Sequence, residues 1–174
     1  VKILLLGAVL AALTTPAWSK DCGPLPGAFD GVAFSGDGDN IYGIGFPHSI
    51  RLWGINAPEE RDGQKAETVP GMRARAALED LLERSDHKVR CEVLKFDPYC
   101  RIVAWCKAGD ADLGLEMLKR GMAFGFYLSE PVHGDATLSL AYAAAEAEAR
   151  HTQKGLWPGW LGIKPAVEQA PPRP

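Results

Sequence analysis

Residues 88–106 read KVRCEVLKFDPYCRIVAWC. Lys88 to Phe96 and Arg101 to Cys106 are rich in the residues that favour strands. Between them, Asp97-Pro98-Tyr99-Cys100 has Asp first and Pro second, the pattern of a tight four-residue turn. The segment therefore reads as a β-hairpin. If Asp97 faces Cys100 across that turn, Cys91 falls directly opposite Cys106. Cross-strand neighbours lie close enough for a disulfide. The alternative is two small apolar strand residues. Cys22 and Cys100 then remain as the leftover pair.

Working outward, Phe29 to Phe34 reads as a strand followed by the turn SGDGDN. Asn40 to Ile44 resumes an extended course that Gly45-Phe46-Pro47 breaks. Ser49 to Ile55 (SIRLWGI) alternates as a half-buried strand does. Asn56-Ala57-Pro58-Glu59-Glu60 ends it, since the residue before a proline is held extended. Beyond a polar loop containing Pro70, the apolar spacing of Met72, Ala76, Leu78, Leu81 and Leu82 predicts an amphipathic helix over 72–84. Asp112 to Arg120 reads as a second helix closed by Gly121, and alanine-rich Thr137 to Gln153 as a third. Three strands, a helix, two strands and two helices predict an α+β fold: a five-stranded OB-type β-barrel with about three helices. Such barrels bind oligonucleotides or oligosaccharides, and fold alone does not choose between them.

The ends read differently. Lys2, the apolar run Ile3 to Leu13 and the small residues Ala17 and Ser19 predict a secretory signal peptide over 1–19, cut after Ser19. Its apolar part is too short to span a bilayer. The proline-rich stretch 164–174 has the composition of a disordered tail. That leaves 20–163 as one domain, with no membrane attachment expected after cleavage, secreted or periplasmic, and monomeric. Four cysteines, an even count behind a signal peptide, favour disulfides over free thiols. Loss of Lys2 takes the net charge from −3 to −4. A mildly acidic chain does not grip nucleic acid by its global field, so phosphate recognition must rest on a local arginine cluster.

Three clusters could carry chemistry. Asp37-Gly38-Asp39 could offer oxygens to a hard cation; taken alone, a solvated turn is the plainer reading. Arg51 sits inside an apolar strand, where a lone charge is costly and needs a partner or an anion. Glu59 follows Pro58, which could hold its carboxylate at a barrel mouth; an ordinary Arg–Glu surface pair is the plainer reading. Arg101 ends the hairpin turn beside Tyr99, an aromatic that could stack on a base, or it is simply an exposed turn arginine.

Taken together, GDGDN…IRLWGINAPE…DPYCR…LKRGMAFGFY…GLW resembles the staphylococcal nuclease (thermonuclease) family over Phe34 to Trp157. The resemblance implies a metal-dependent nuclease acting on DNA and/or RNA, cutting the P–O5′ bond. It implies Arg51 and Arg101 as the phosphate clamp and Glu59 as general base. It further implies a site for calcium or another divalent cation, with Asp39, Asn56 and the Ala57 backbone carbonyl as ligands and Asp37 acting through water. Tyr99 and Tyr127 would line the nucleotide pocket. The sequence departs from the family pattern at Asn56, where an aspartate is usual, and at Asn40, where a threonine is. Cys100 replaces a glycine, Pro98 a frequent lysine, and Ser129 a tyrosine. A catalytically weakened relative that binds nucleic acid or a protein is the alternative that Asn56 favours.

Overall fold

A computed structural model describes residues 21–61, 66–130, 132 and 134–160; the expected signal peptide and the tail lie outside these residues. Among these residues, eight strands and three α-helices follow in the order β1 (Ala28–Ser35), β2 (Asn40–Gly43), β3 (Ser49–Leu52), β4 (Ile55–Asn56), α1 (Val69–Glu83), β5 (Lys88–Phe96), β6 (Ile102–Ala108), β7 (Ala111–Asp112), α2 (Leu113–Lys119), β8 (Phe124–Gly125) and α3 (Ala136–His151). The main sheet runs β3-β2-β1-β5-β6-β7, and β3 also pairs with β6. That last pairing is parallel, Ile50 to Ile102 through Leu52 to Ala104, and closes β1, β2, β3, β5 and β6 into the five-stranded barrel. Ile41, Ile50 and Ile102 fill its interior, and Leu78 and Leu82 of α1 with Met117 and Leu118 of α2 complete the core.

The hairpin forms with a different tip from the one expected. The Asp97 N–H donates to the Arg101 carbonyl (2.9 Å), so Asp97 faces Arg101 rather than Cys100. Cys100 adopts φ 62°, and its N–H donates to the Asp97 carbonyl at 3.0 Å. This is a tight turn followed by a left-handed residue, a common three-residue hairpin loop. An irregularity between Val93 and Lys95 shifts the register back by one, so Cys91 still faces Cys106. Both disulfides form: Cys91–Cys106, with Cα atoms 4.0 Å apart, and Cys22–Cys100, at 5.3 Å.

Two other expectations are corrected. Ser49 to Ile55 is not one strand: Gly54 turns at φ 77°, and β4 leaves the barrel to pair with β8. A side chain at Gly54 would meet the Tyr142 ring at 2.9 Å, so the turn is packed as well as bent. Helix α1 begins at Val69, earlier than expected, because Pro70 lies in its first turn, where a missing N–H costs nothing. The Thr68 hydroxyl caps it by accepting from the Gly71 N–H at 3.1 Å.

Candidate active site

Gly38 explains why the turn before β2 is built as it is. A Cβ there would lie 2.5 Å from the Ala74 Cβ on α1 and 2.6 Å from the Ala57 Cβ. Glycine lets the turn settle against both, which buries Asp39 to 3% exposure at the head of β2. Arg51 points from β3 into the same interior and is 8% exposed. Its Nη1 donates to Asp39 Oδ1 at 2.8 Å, and its Nη2 to the Asn56 side-chain oxygen and the Ile55 carbonyl. The guanidinium lies 5.6 Å from the centre of the Phe126 ring. A buried cation without such partners would be strongly destabilising.

Asp39 is held from several sides. Its Oδ2 accepts the Ala57 N–H at 2.8 Å, and Asn40 Nδ2 approaches its Oδ1 at 3.3 Å. Burial pushes its carboxyl up to about 7, against the neighbouring Arg51 and the Ala57 N–H, which pull it down; the charges of Asp37 and Glu59 add to the rise. Asp37 accepts the Asp39 N–H and an Asn40 Nδ2 hydrogen, at 2.9 and 3.0 Å.

At the hairpin tip Arg101 is fixed by Asp97. Its Nε donates to Asp97 Oδ2 at 2.6 Å, while Asp97 Oδ1 accepts the N–H groups of Tyr99 and Arg101. One carboxylate thus shapes the turn and aims the arginine. Tyr99 is 74% exposed, with its ring 5.6 Å from the Arg101 guanidinium. Tyr127 follows β8 at φ 51° with its ring against Phe126.

A cleft of about 610 Å³ collects these groups: Arg51, Asn56, Glu59, Tyr99, Arg101 and Tyr127 all line it. The structure therefore brings together both arginines, the glutamate and both tyrosines. Glu59 lines the cleft and is exposed to solvent. Asp37, Asp39 and Ala57 do not line the cleft; the Asp39 carboxylate touches its lining through Arg51. A second cleft, of about 450 Å³, lies between Phe34 and α1 and holds none of the candidate residues.

The donors assigned to a divalent cation do not fit one as they stand. Among the described residues, no group of three or more His, Cys, Asp or Glu side chains is placed to hold a metal. Arg51 instead spans the two side chains, Asp39 and Asn56, that would have to share the ion.

Three cleft residues escape a reading of the sequence. Phe126 underlies Arg51, and only the aromatic run Phe124-Gly125-Phe126-Tyr127 hints at it. Lys95 and Glu130 form an ion pair on the wall from positions 35 residues apart, which no local pattern signals.

Comparison with known proteins then supplies a lineage. The family described as Staphylococcal nuclease homologue matches residues 49–159. A protein of Verticillium alfalfae named "Probable endonuclease LCL3" is 38% identical over 63% of this chain. Proteins of the same name from Phaeosphaeria nodorum and Sclerotinia sclerotiorum are each 32% identical, over 70% and 63% of the chain. The matched regions cover 38%, 41% and 42% of those proteins, so this chain spans well under half of each.

Proposed function

Because the chain belongs to the staphylococcal nuclease homologue family, we propose that it hydrolyses phosphodiester bonds of DNA and/or RNA, with Glu59 as general base and Arg51 and Arg101 on the phosphate. The observation that supports this most is the single cleft in which two guanidiniums, a solvent-open carboxylate and two tyrosines converge. The names of the relatives, endonucleases, agree with it.

In this reading the phosphate enters between Arg51 and Arg101. Arg101 spends only its Nε on Asp97 and keeps its terminal nitrogens for an anion. A planar guanidinium can hold two phosphoryl oxygens at once, which a lysine cannot. Glu59 takes a proton from water as the water oxygen bonds to phosphorus. The P–O5′ bond breaks, and the departing oxygen takes a proton from solvent. Fixed positive charge stabilises the charge that develops on the phosphoryl oxygens. Tyr99 and Tyr127 offer rings for the bases.

The calcium site that the resemblance implies (Asp39, Asn56, the Ala57 carbonyl, and Asp37 through water) would add a Lewis acid to this arrangement. Since the side chains of Asp37, Asp39 and Asn56 are engaged otherwise, the steps above use the chain's own side chains alone. We place the enzyme outside the cytoplasm, secreted or periplasmic, as a monomer: residues 1–19 as signal peptide, 20–163 as the nuclease domain and 164–174 as a tail. The two disulfides support an oxidising compartment. No helix among the described residues is long and apolar enough to cross a membrane.

A second reading has one observation in its favour: Arg51 is already bound to Asp39 and Asn56. The chain would then bind nucleic acid or a protein partner without cutting. Incubation of the purified domain with single-stranded DNA separates the two. Cleavage to 3′-phosphate ends, reduced roughly 10²-fold or more in Glu59→Ala, is expected from the loss of a general base. Binding without cleavage in calcium, magnesium, manganese and chelator alike would establish the second reading instead.

A further inference from the structure

We infer that the Arg51 guanidinium takes the place of the divalent cation, so that this chain binds no calcium at Asp39 and, on the nuclease reading it rests on, cuts phosphodiesters without one. The inference comes from how the acids are occupied. All four carboxylate oxygens of Asp37 and Asp39 already accept an N–H from this chain. Asp37 Oδ1 takes the Asp39 N–H and Asp37 Oδ2 an Asn40 Nδ2 hydrogen. Asp39 Oδ1 takes Arg51 Nη1, and Asp39 Oδ2 takes the Ala57 N–H.

Two amides stand where oxygen charge or a hydroxyl would serve an ion better. Asn56 is neutral, so it adds no charge to a calcium site, whose affinity rises with the charge of its ligands. What its oxygen does instead is accept from Arg51 Nη2. Asn40, 7% exposed, points its NH₂ toward both Asp37 and Asp39. Its own Oδ1 is left buried with no partner among the described residues. An unpaired buried carbonyl is a cost, and it accompanies the contacts that the same amide's NH₂ makes to the two carboxylates.

The guanidinium also suits the position. One positive charge matches the one carboxylate, Asp39, that it touches, and the Phe126 ring adds an attractive face. Three of its N–H groups go to Asp39, Asn56 and Ile55. A guanidinium carries five, so the Nε–H and the second Nη1–H remain for a phosphate oxygen. Arg51 lines the cleft where the acids do not, so positive charge reaches the substrate directly rather than through an ion set behind it.

Two measurements on the full mature protein test this. The first is calorimetric titration of calcium alone into the wild type and into Asn56→Asp. No binding to the wild type tighter than about 1 mM is expected, outside even the weak extracellular calcium modules; the added carboxylate of the variant should create or strengthen a site. The second compares cleavage of single-stranded DNA in calcium and in chelator, with rates expected to agree within roughly twofold rather than showing the large loss that removal of a catalytic metal brings. Calcium binding to the wild type well below about 1 mM, or a loss of roughly tenfold or more in chelator, would overturn the inference. A wild type that neither binds calcium nor cleaves in any condition leaves the occupied cation position standing and removes the nuclease reading.

Discussion

Asp39 is the residue on which the interior of the site turns. Its carboxyl, held up to about 7 by burial against the pull of Arg51, lies above the 3.8 it has in an unfolded chain. Between about pH 4 and 7 the folded protein therefore keeps a proton that the unfolded chain has lost. The stability owed to this group is greatest at the acid end, falls as pH rises through that window, and levels off above about 7. Asp39→Asn should flatten that portion of the stability profile in urea unfolding across the same range. An unchanged slope in the variant would show that Asp39 titrates with an ordinary value. At this scale the sequence carried the identities of Arg51, Glu59 and Arg101. It could not carry which side chain each would bind, because Asp39, Arg51 and Asn56 meet only when β2, β3 and β4 are in place.

At the scale of elements, short pieces of structure are held by single polar residues that serve several neighbours. Asp112 caps α2 by accepting the Leu115 N–H at 2.9 Å, and also accepts from the Tyr142 hydroxyl and Trp105 Nε1, both at 2.6 Å. It thereby ties β6, α2 and α3 together. Burial and the Asp112 charge push the Tyr142 hydroxyl far above its ordinary range, so it stays a donor at every working pH. Asp112→Ala removes a cap and leaves two donors, one of them buried, without an acceptor. A loss of about 3 kcal/mol is expected, from about 1 for the cap and 1–3 for the stranded hydroxyl. Chemical denaturation would measure it, and a loss under about 1 kcal/mol would mean that water replaces the carboxylate. Asp97 acts in the same manner at the hairpin tip, where one carboxylate sets the turn and orients Arg101.

For the whole molecule, the two disulfides differ in reach. Cys91–Cys106 closes a loop with a separation of 15, across a hairpin that already forms. Cys22–Cys100 spans 78 residues and fastens the segment before β1 to the loop that carries Arg101. In the chain-entropy account, the longer loop is worth about 4–5 kcal/mol and the shorter about 3. Cys100 also sits at φ 62°, a conformation glycine adopts without penalty and other residues adopt at a cost of about 1 kcal/mol. Cys22→Ser with Cys100→Ser should therefore be the less stable double variant. Cys22→Ser with Cys100→Gly should recover about 1 kcal/mol of that loss, read from urea midpoints. Equal midpoints would show that the loop leaves its left-handed turn once the bond is gone.

Local pattern and chemistry are what the sequence determined by itself. The alternation and turn residues of 88–106 specified the hairpin and set Cys91 opposite Cys106 as one possible pair. The order of strands and helices specified a small barrel, and the motif residues named the arginines and the glutamate that share its cleft. Even the hairpin was legible only in part: the turn is one residue longer at Arg101, and the irregularity between Val93 and Lys95 restores the register. Only the tertiary structure decided the parallel closure of β3 on β6, the pairing of two-residue strands β4 and β8, and the placing of Phe126 under Arg51. Two-residue strands have no period to detect, and contacts between distant segments leave no mark on either segment alone. For the same reason the partners of the acids were hidden: the family resemblance implies Asp39 as a cation ligand and Asp37 as an acid acting through water, while in the folded chain each of their carboxylate oxygens accepts an N–H.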